Sequence, residues 1–298
     1  MTTTTFFSYK GGAGRSTTCL NTIPFLVESK AAFSRAPIIL IDMDIESAGM
    51  TYLLNQEDAF EGKNDVKMFL KNEDSWSSDN SCELFEHPFY QWLVPVGNKF
   101  GLEDNRAVMF LGVDDSSPQL NHTEVTGKLV EVMTKLRRFA QNYHCKGIVM
   151  DSAAGDQVSA RLAVNLADKI VFCMKMTHQF RIGTFNYLNK LGRNLGRTAD
   201  EKEIILLPTV VPQDAIIDGV SQLETSLDDI SNRINNLTNI EVRDEFVSSK
   251  DMFGINEVMR FKWKEGILFK LRNEDAVTPD EESALIRYKK LAQIISDD

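Results

Sequence analysis

The stretch "SYKGGAGRSTTC", residues 8–19, sets three glycines, two cations and a run of hydroxyls side by side. Gly11, Gly12 and Gly14, with Ala13 between them, allow a tight bend that turns backbone N–H groups inward. A helix starting near Arg15 would add its N-terminal partial charge to that nest. Ser16 has the hydroxyl that such loops place on Mg²⁺, and Thr17 can reach a phosphate oxygen. The chemistry is the gripping of a phosphate chain. Arg15 stands where such loops carry lysine. It keeps the charge but brings a longer, planar fork, which can take two phosphate oxygens and cannot occupy a lysine's point. Three aspartates complete the set: Asp42, Asp44 and Asp151 close the apolar runs "PIILID" and "GIVMDS" or follow them. A carboxylate there can hold a cation or orient water, and it can equally cap a loop.

Positioning these groups requires strands, and short apolar runs recur along the chain. They are residues 4–9, 37–42, 107–113, 147–152, 169–176, 203–211 and 258–263. Several are apolar at consecutive positions, as expected of parallel strands buried on both faces. Helical patterns lie between them. In 123–142, Val125, Leu129, Val132, Met133, Leu136 and Ala140 fall on one stripe. Strands alternating with helices predict an α/β fold, a doubly wound and mostly parallel sheet flanked by helices. Such sheets bind ligands at the carboxyl ends of their strands, where the three aspartates fall. With no Gly/Ser linker and no internal repeat, residues 1–298 read as a single domain. Thr278, Pro279 and Glu281 signal the start of a last helix.

Composition narrows the classes. Of 298 residues 43% are hydrophobic and 26% charged, the make-up of a globular protein. No apolar run reaches the roughly 20 residues of a membrane helix, so membrane insertion is not expected. The four cysteines (Cys19, Cys82, Cys145, Cys173) are far apart and read as reduced thiols, which with the absence of a leader pattern suggests a cytoplasmic protein. The net charge of −10 is uneven: residues 55–105 and 214–257 each carry −7, leaving +4 elsewhere. Two solvated acidic insertions, or a partner-binding face, would both account for that.

The motif "KGGAGRST" resembles the deviant Walker A motif of the ParA/MinD family, written KGGxGK[ST], whose mark is the early lysine. "PIILIDMDIESAG", "YHCKGIVMDSAAG", "LADKIVFCMKMT" and "IILLPTVVP" are similar to that family's later motifs, in its order. The resemblance runs from residue 4 to about 212 and implies a P-loop NTPase fold, with ATP and Mg²⁺ as cofactors. It implies that Lys10 reaches the phosphates of a partner subunit in a nucleotide-bound homodimer. Gly11, Gly12, Ala13, Gly14, Arg15, Ser16 and Thr17 would wrap the phosphates. Asp44 would position the attacking water, Asp42 would support the magnesium shell beside Ser16, and Asp151 would be the Walker B acid. Pro208 and Thr209 stand where many relatives read adenine with asparagine, so Thr209 is the candidate at the base.

Three functions compete on this reading. One is a switch ATPase that dimerises with ATP and acts on a protein partner or a surface, with slow or partner-stimulated hydrolysis. A second is a nucleotide-binding regulator with little turnover. The third is a partitioning ATPase that binds DNA non-specifically, for which Arg260, Lys262, Lys264, Lys270 and Arg272 among Phe261, Trp263 and Phe269 would serve. Leu223, Leu227, Ile230, Ile234 and Leu237 step like a short coiled-coil seam, and a surface helix packed on its own core gives the same pattern.

Overall fold

In the computed structural model the described residues are 1–29, 36–54, 65–71, 83–113, 122–175, 179, 182–184, 186–187, 190, 202–209, 241–243 and 279–296. The candidate seam at 221–237, the basic and aromatic run at 260–272, the strand expected at 258–263, Cys82 and Thr278 lie outside them.

Among the described residues eight strands form one sheet: β1 (Thr3–Ser8), β2 (Ile38–Met43), β3 (Val94–Pro95), β4 (Val108–Leu111), β5 (Gly147–Ala154), β6 (Lys169–Met174), β7 (Glu203–Pro208) and β8 (Glu241–Arg243). Their order is β3-β4-β2-β5-β1-β6-β7-β8. β2 runs parallel to both β4 and β5, β7 runs parallel to β6 and β8, and β3 is antiparallel to β4. The consecutive apolar residues of β2 and β6 are buried throughout, as strands covered on both faces must be. Six of the seven expected runs are strands, most of them shifted or shortened by one to three residues. β6 ends at Met174, so Lys175 leaves the strand instead of continuing it.

The helices with described bounds are α1 (Arg15–Ser29), α2 (Gly49–Leu54), α3 (Val66–Lys71), α4 (Pro88–Gln91), α5 (His122–Asn142), α6 (Val158–Leu166) and α7 (Pro279–Ser296). On α5 the expected stripe is buried at Leu129, Val132, Met133, Leu136 and Ala140.

By contacts the chain divides into two compact units, Met1–Thr5 with Leu26–Ala167, and Phe6–Phe25 with Asp168–Asp298. In the first, α5 and α6 pack on β5, and α6 also meets β2. The acidic segment 55–105 contributes to this unit's core: Phe69, Phe89 and Phe100 are fully buried, and His87 stacks on Phe89 with ring centroids 5.5 Å apart. Among its described residues the segment is therefore more than a solvated insertion. In the second unit Phe7, Phe172 and Tyr187 pack ring to ring, with Phe7 and Tyr187 stacked at 4.6 Å. Lys169 reaches from β6 to the Ile294 carbonyl of α7 at 3.4 Å and pairs with Glu203 on β7.

Candidate functional site

The glycine loop belongs to the second unit. It leaves β1 at Ser8, whose hydroxyl donates to the Lys10 carbonyl at 3.0 Å and so turns the chain at once. Tyr9 packs over Gly183, where any Cβ would run into its ring. Gly12 and Gly14 take φ of 73° and 69°, the left-handed region that side-chain-bearing residues enter at a cost. Then α1 begins, and the Gly14 carbonyl accepts from both the backbone N–H and the hydroxyl of Thr18, at 2.9 and 2.7 Å. Gly11 and Gly12 are exposed, Ala13 is buried, and Lys10, Gly14, Ser16 and Thr17 are half-buried. Arg15 is only 9% exposed, so much of its length is buried.

Two residues that follow neighbouring strands approach this loop, and one of them bonds to it. Thr209, just past β7 and fully buried, donates its backbone N–H to the Met174 carbonyl at 2.8 Å and its hydroxyl to the Ala13 carbonyl at 2.5 Å. The candidate for the base thus has its hydroxyl proton committed to the loop. Lys175, the first residue after β6, brings its Nζ to within 3.5 Å of where a Cβ on Gly12 would stand. Sequence reasoning missed this lysine by reading residue 175 as strand. A lysine directly after a buried strand was the available signal.

The aspartates belong to the first unit. In the β2–β5 register Asp42 lies opposite Asp151, and both are fully buried. Asp42 accepts three hydrogen bonds: Asp44 N–H on Oδ1 at 3.0 Å, and the N–H and hydroxyl of Thr51 on Oδ2 at 2.9 and 2.7 Å. Burial pushes its carboxyl up to about 7, the nearby Asp151 pushes the same way, and the bonds from Thr51 and Asp44 oppose both. Asp44, 8% exposed, accepts from Ser47 N–H at 3.3 Å and caps the turn whose Ala48 has φ of 48°. Thr51 also accepts from Val113 N–H at 3.0 Å, tying α2 to the end of β4. Its role has no motif in the sequence.

Two buried carboxylates in register suit a cation, which would relieve their mutual repulsion. Among the described residues no group of three or more His, Cys, Asp or Glu side chains could hold a metal. Magnesium is commonly bound by one or two carboxylates with water and substrate phosphates, so this donor set fits it. Asp42, with three donors already on its oxygens, suits a supporting place better than a direct one.

No protein-family profile matches the chain, and no curated protein does. Solved structures do. The ParA family ATPase from Chlorobium tepidum TLS is similar with a TM-score of 0.59 at 11% identity, over 98% of each chain. A variant of Cyanothece McdA, in complex with ATP, gives 0.60 at 14%, over 98% of this chain and 96% of that one. MinD of Pyrococcus horikoshii OT3, complexed with Mg-ADP, gives 0.54 at 18%, over 99% of each. The chain has the ParA/MinD ATPase fold. Within the ParA/MinD fold the long coverage leaves little of either chain unmatched, and the low identities carry the fold alone.

Among the described residues no helix is long and apolar enough to cross a membrane. Cys19, Cys145 and Cys173 are buried and in no disulfide, and burial raises Cys145 to about 12, which makes it an inert thiol at neutral pH.

Proposed function

We propose that the chain is a Mg-ATP-binding switch ATPase of the ParA/MinD kind, one cytoplasmic P-loop domain that dimerises with nucleotide and acts on a protein partner. The observation that carries this reading is the loop itself: a buried strand, two left-handed glycines and a helix opening on the hydroxyls of Ser16 and Thr17. Such a loop presents N–H groups to an anion. The similar structures named with ATP and with Mg-ADP support the choice of nucleotide.

The residues then take these roles. Backbone N–H groups of residues 11–17 and the Arg15 fork bind the phosphate chain. Ser16 and Asp151 would hold the cation, and Asp42 orients the loop that carries Asp44. Bound Mg²⁺ would supply charge neutralisation on the phosphates. Asp44 orients the water that attacks the terminal phosphorus as the bond to the bridging oxygen breaks, and Lys10 serves the phosphates of the partner subunit. Thr209 acts on the nucleotide through the Ala13 carbonyl that it holds.

A second reading, a regulator with little turnover, is favoured by Arg15: a largely buried arginine in place of lysine grips without reproducing a lysine's placement. Light scattering after size exclusion, with Mg-ATP, Mg-ADP or neither, tests the switch. A dimer formed with Mg-ATP and absent without nucleotide is expected. A monomer under saturating Mg-ATP would contradict the switch.

A further inference from the structure

Lys175 is unassigned by everything argued so far. We propose that it is a phosphate-binding residue of the glycine loop, delivering the compact ammonium that the loop lacks at position 15. The inference rests on the reading of this loop as a nucleotide site and names a further residue of it.

Three observations within one unit lead there. The Lys175 Nζ stands over Gly12, at 3.5 Å from an ideal Cβ. Gly12 is exposed and has φ of 73°, so its backbone is accessible where the ammonium lies. The placement is held from below. Thr209 binds the Met174 carbonyl with its N–H and the Ala13 carbonyl with its hydroxyl, so the residue before Lys175 and the residue after Gly12 share one clamp. β6 and β7 fix that clamp through the Met174–Pro208 register.

The charge logic follows. A phosphate chain in this loop meets N–H groups, which offer partial charges, and the Arg15 fork. An ammonium is a compact, strongly hydrated point charge that fits between oxygens of adjacent phosphates, whereas a guanidinium pairs with them edge-on. Lys175 reaches the loop from the neighbouring strand, so its charge arrives without the loop having to widen for it. Arginine at position 15 is then tolerated because the point charge comes from elsewhere in the fold.

The test is equilibrium titration of Mg-ATP into the full-length protein and its variants, with circular dichroism as the check on folding. Lys175→Gln should weaken Mg-ATP binding about tenfold or more, a loss of about 1.4 kcal/mol per tenfold. Lys175→Arg, which keeps the charge but not the compact ammonium, should lose less than Lys175→Gln without matching wild type, and Arg15→Lys should recover most of the loss when combined with Lys175→Gln. Wild-type affinity in Lys175→Gln would overturn this inference and leave the nucleotide reading standing. Equal losses in the Gln and Arg variants, or a loss that Arg15→Lys leaves in place, would overturn it as well. A wild-type protein that binds no Mg-ATP would overturn both.

Discussion

Asp42 gathers three hydrogen bonds in a fully buried place beside a second carboxylate, and its chemistry sets the first predictions. Its folded-state pKa is raised from 3.8 to about 7, so the folded protein holds a proton that the unfolded chain releases. The associated stability is fully present below about pH 4 and is lost as pH rises through about 7. Urea midpoints of the nucleotide-free protein should therefore fall from about pH 5 to about pH 8, and Asp42→Asn should flatten that slope. An unchanged slope in the variant would assign the titration to another group. Thr51 supplies two of the three bonds, one through a hydroxyl that also accepts from Val113. Thr51→Val removes that hydroxyl at nearly constant volume and should cost about 1–3 kcal/mol in urea unfolding. The burial of Asp42 and Asp151 on strands was legible because each directly follows an apolar run, although Asp151 lies inside β5 and not at its end. Thr51 was not, because its partner lies nine residues away and the bonds depend on how α2 folds back.

At the scale of elements, the strands and the long helix α5 were legible because burial on both faces and a 3.6-residue stripe leave plain patterns. Their ends were less so. "KIVFCMKM" reads as continuous strand, yet pairing with β7 stops at Met174, opposite Pro208, and this frees Lys175 to turn toward the loop. β3 escaped notice because two residues that include a proline carry no periodicity. The short helices α3 and α4 hid in an acidic segment whose charges obscured the buried Phe69 and Phe89. The clamp between β6, β7 and the loop gives a prediction of its own. Thr209→Val keeps the shape and deletes the bond to Ala13, so overall stability should drop by only about 1 kcal/mol. Mg-ATP affinity, read by titration, should fall by about tenfold, because the loop loses the contact that sets its curvature. A variant that binds as tightly as wild type would show that the loop is held by other means.

For the whole molecule, the mostly parallel pairing of the sheet followed from alternating strands and helices, whereas the strand order did not, and solved ParA/MinD-type ATPases share the fold at identities of 11–18%. Such low identity is expected to preserve what packing demands while freeing the surface, where partners are chosen. The partner and the process therefore left no readable mark in the described residues. If the molecule binds Mg-ATP in its folded state alone, ligand at about 100 times its dissociation constant should add about 2.7 kcal/mol to its stability, seen as a rise in thermal midpoint that the same concentration of AMP does not give. The central claim is that this fold carries a working hydrolytic site. Phosphate release from Mg-ATP by the purified protein, beside an Asp44→Ala control, tests it most directly. The account predicts slow release that falls to background in the control while nucleotide still binds. Release that persists undiminished in Asp44→Ala, or none from wild type at saturating Mg-ATP, would contradict it.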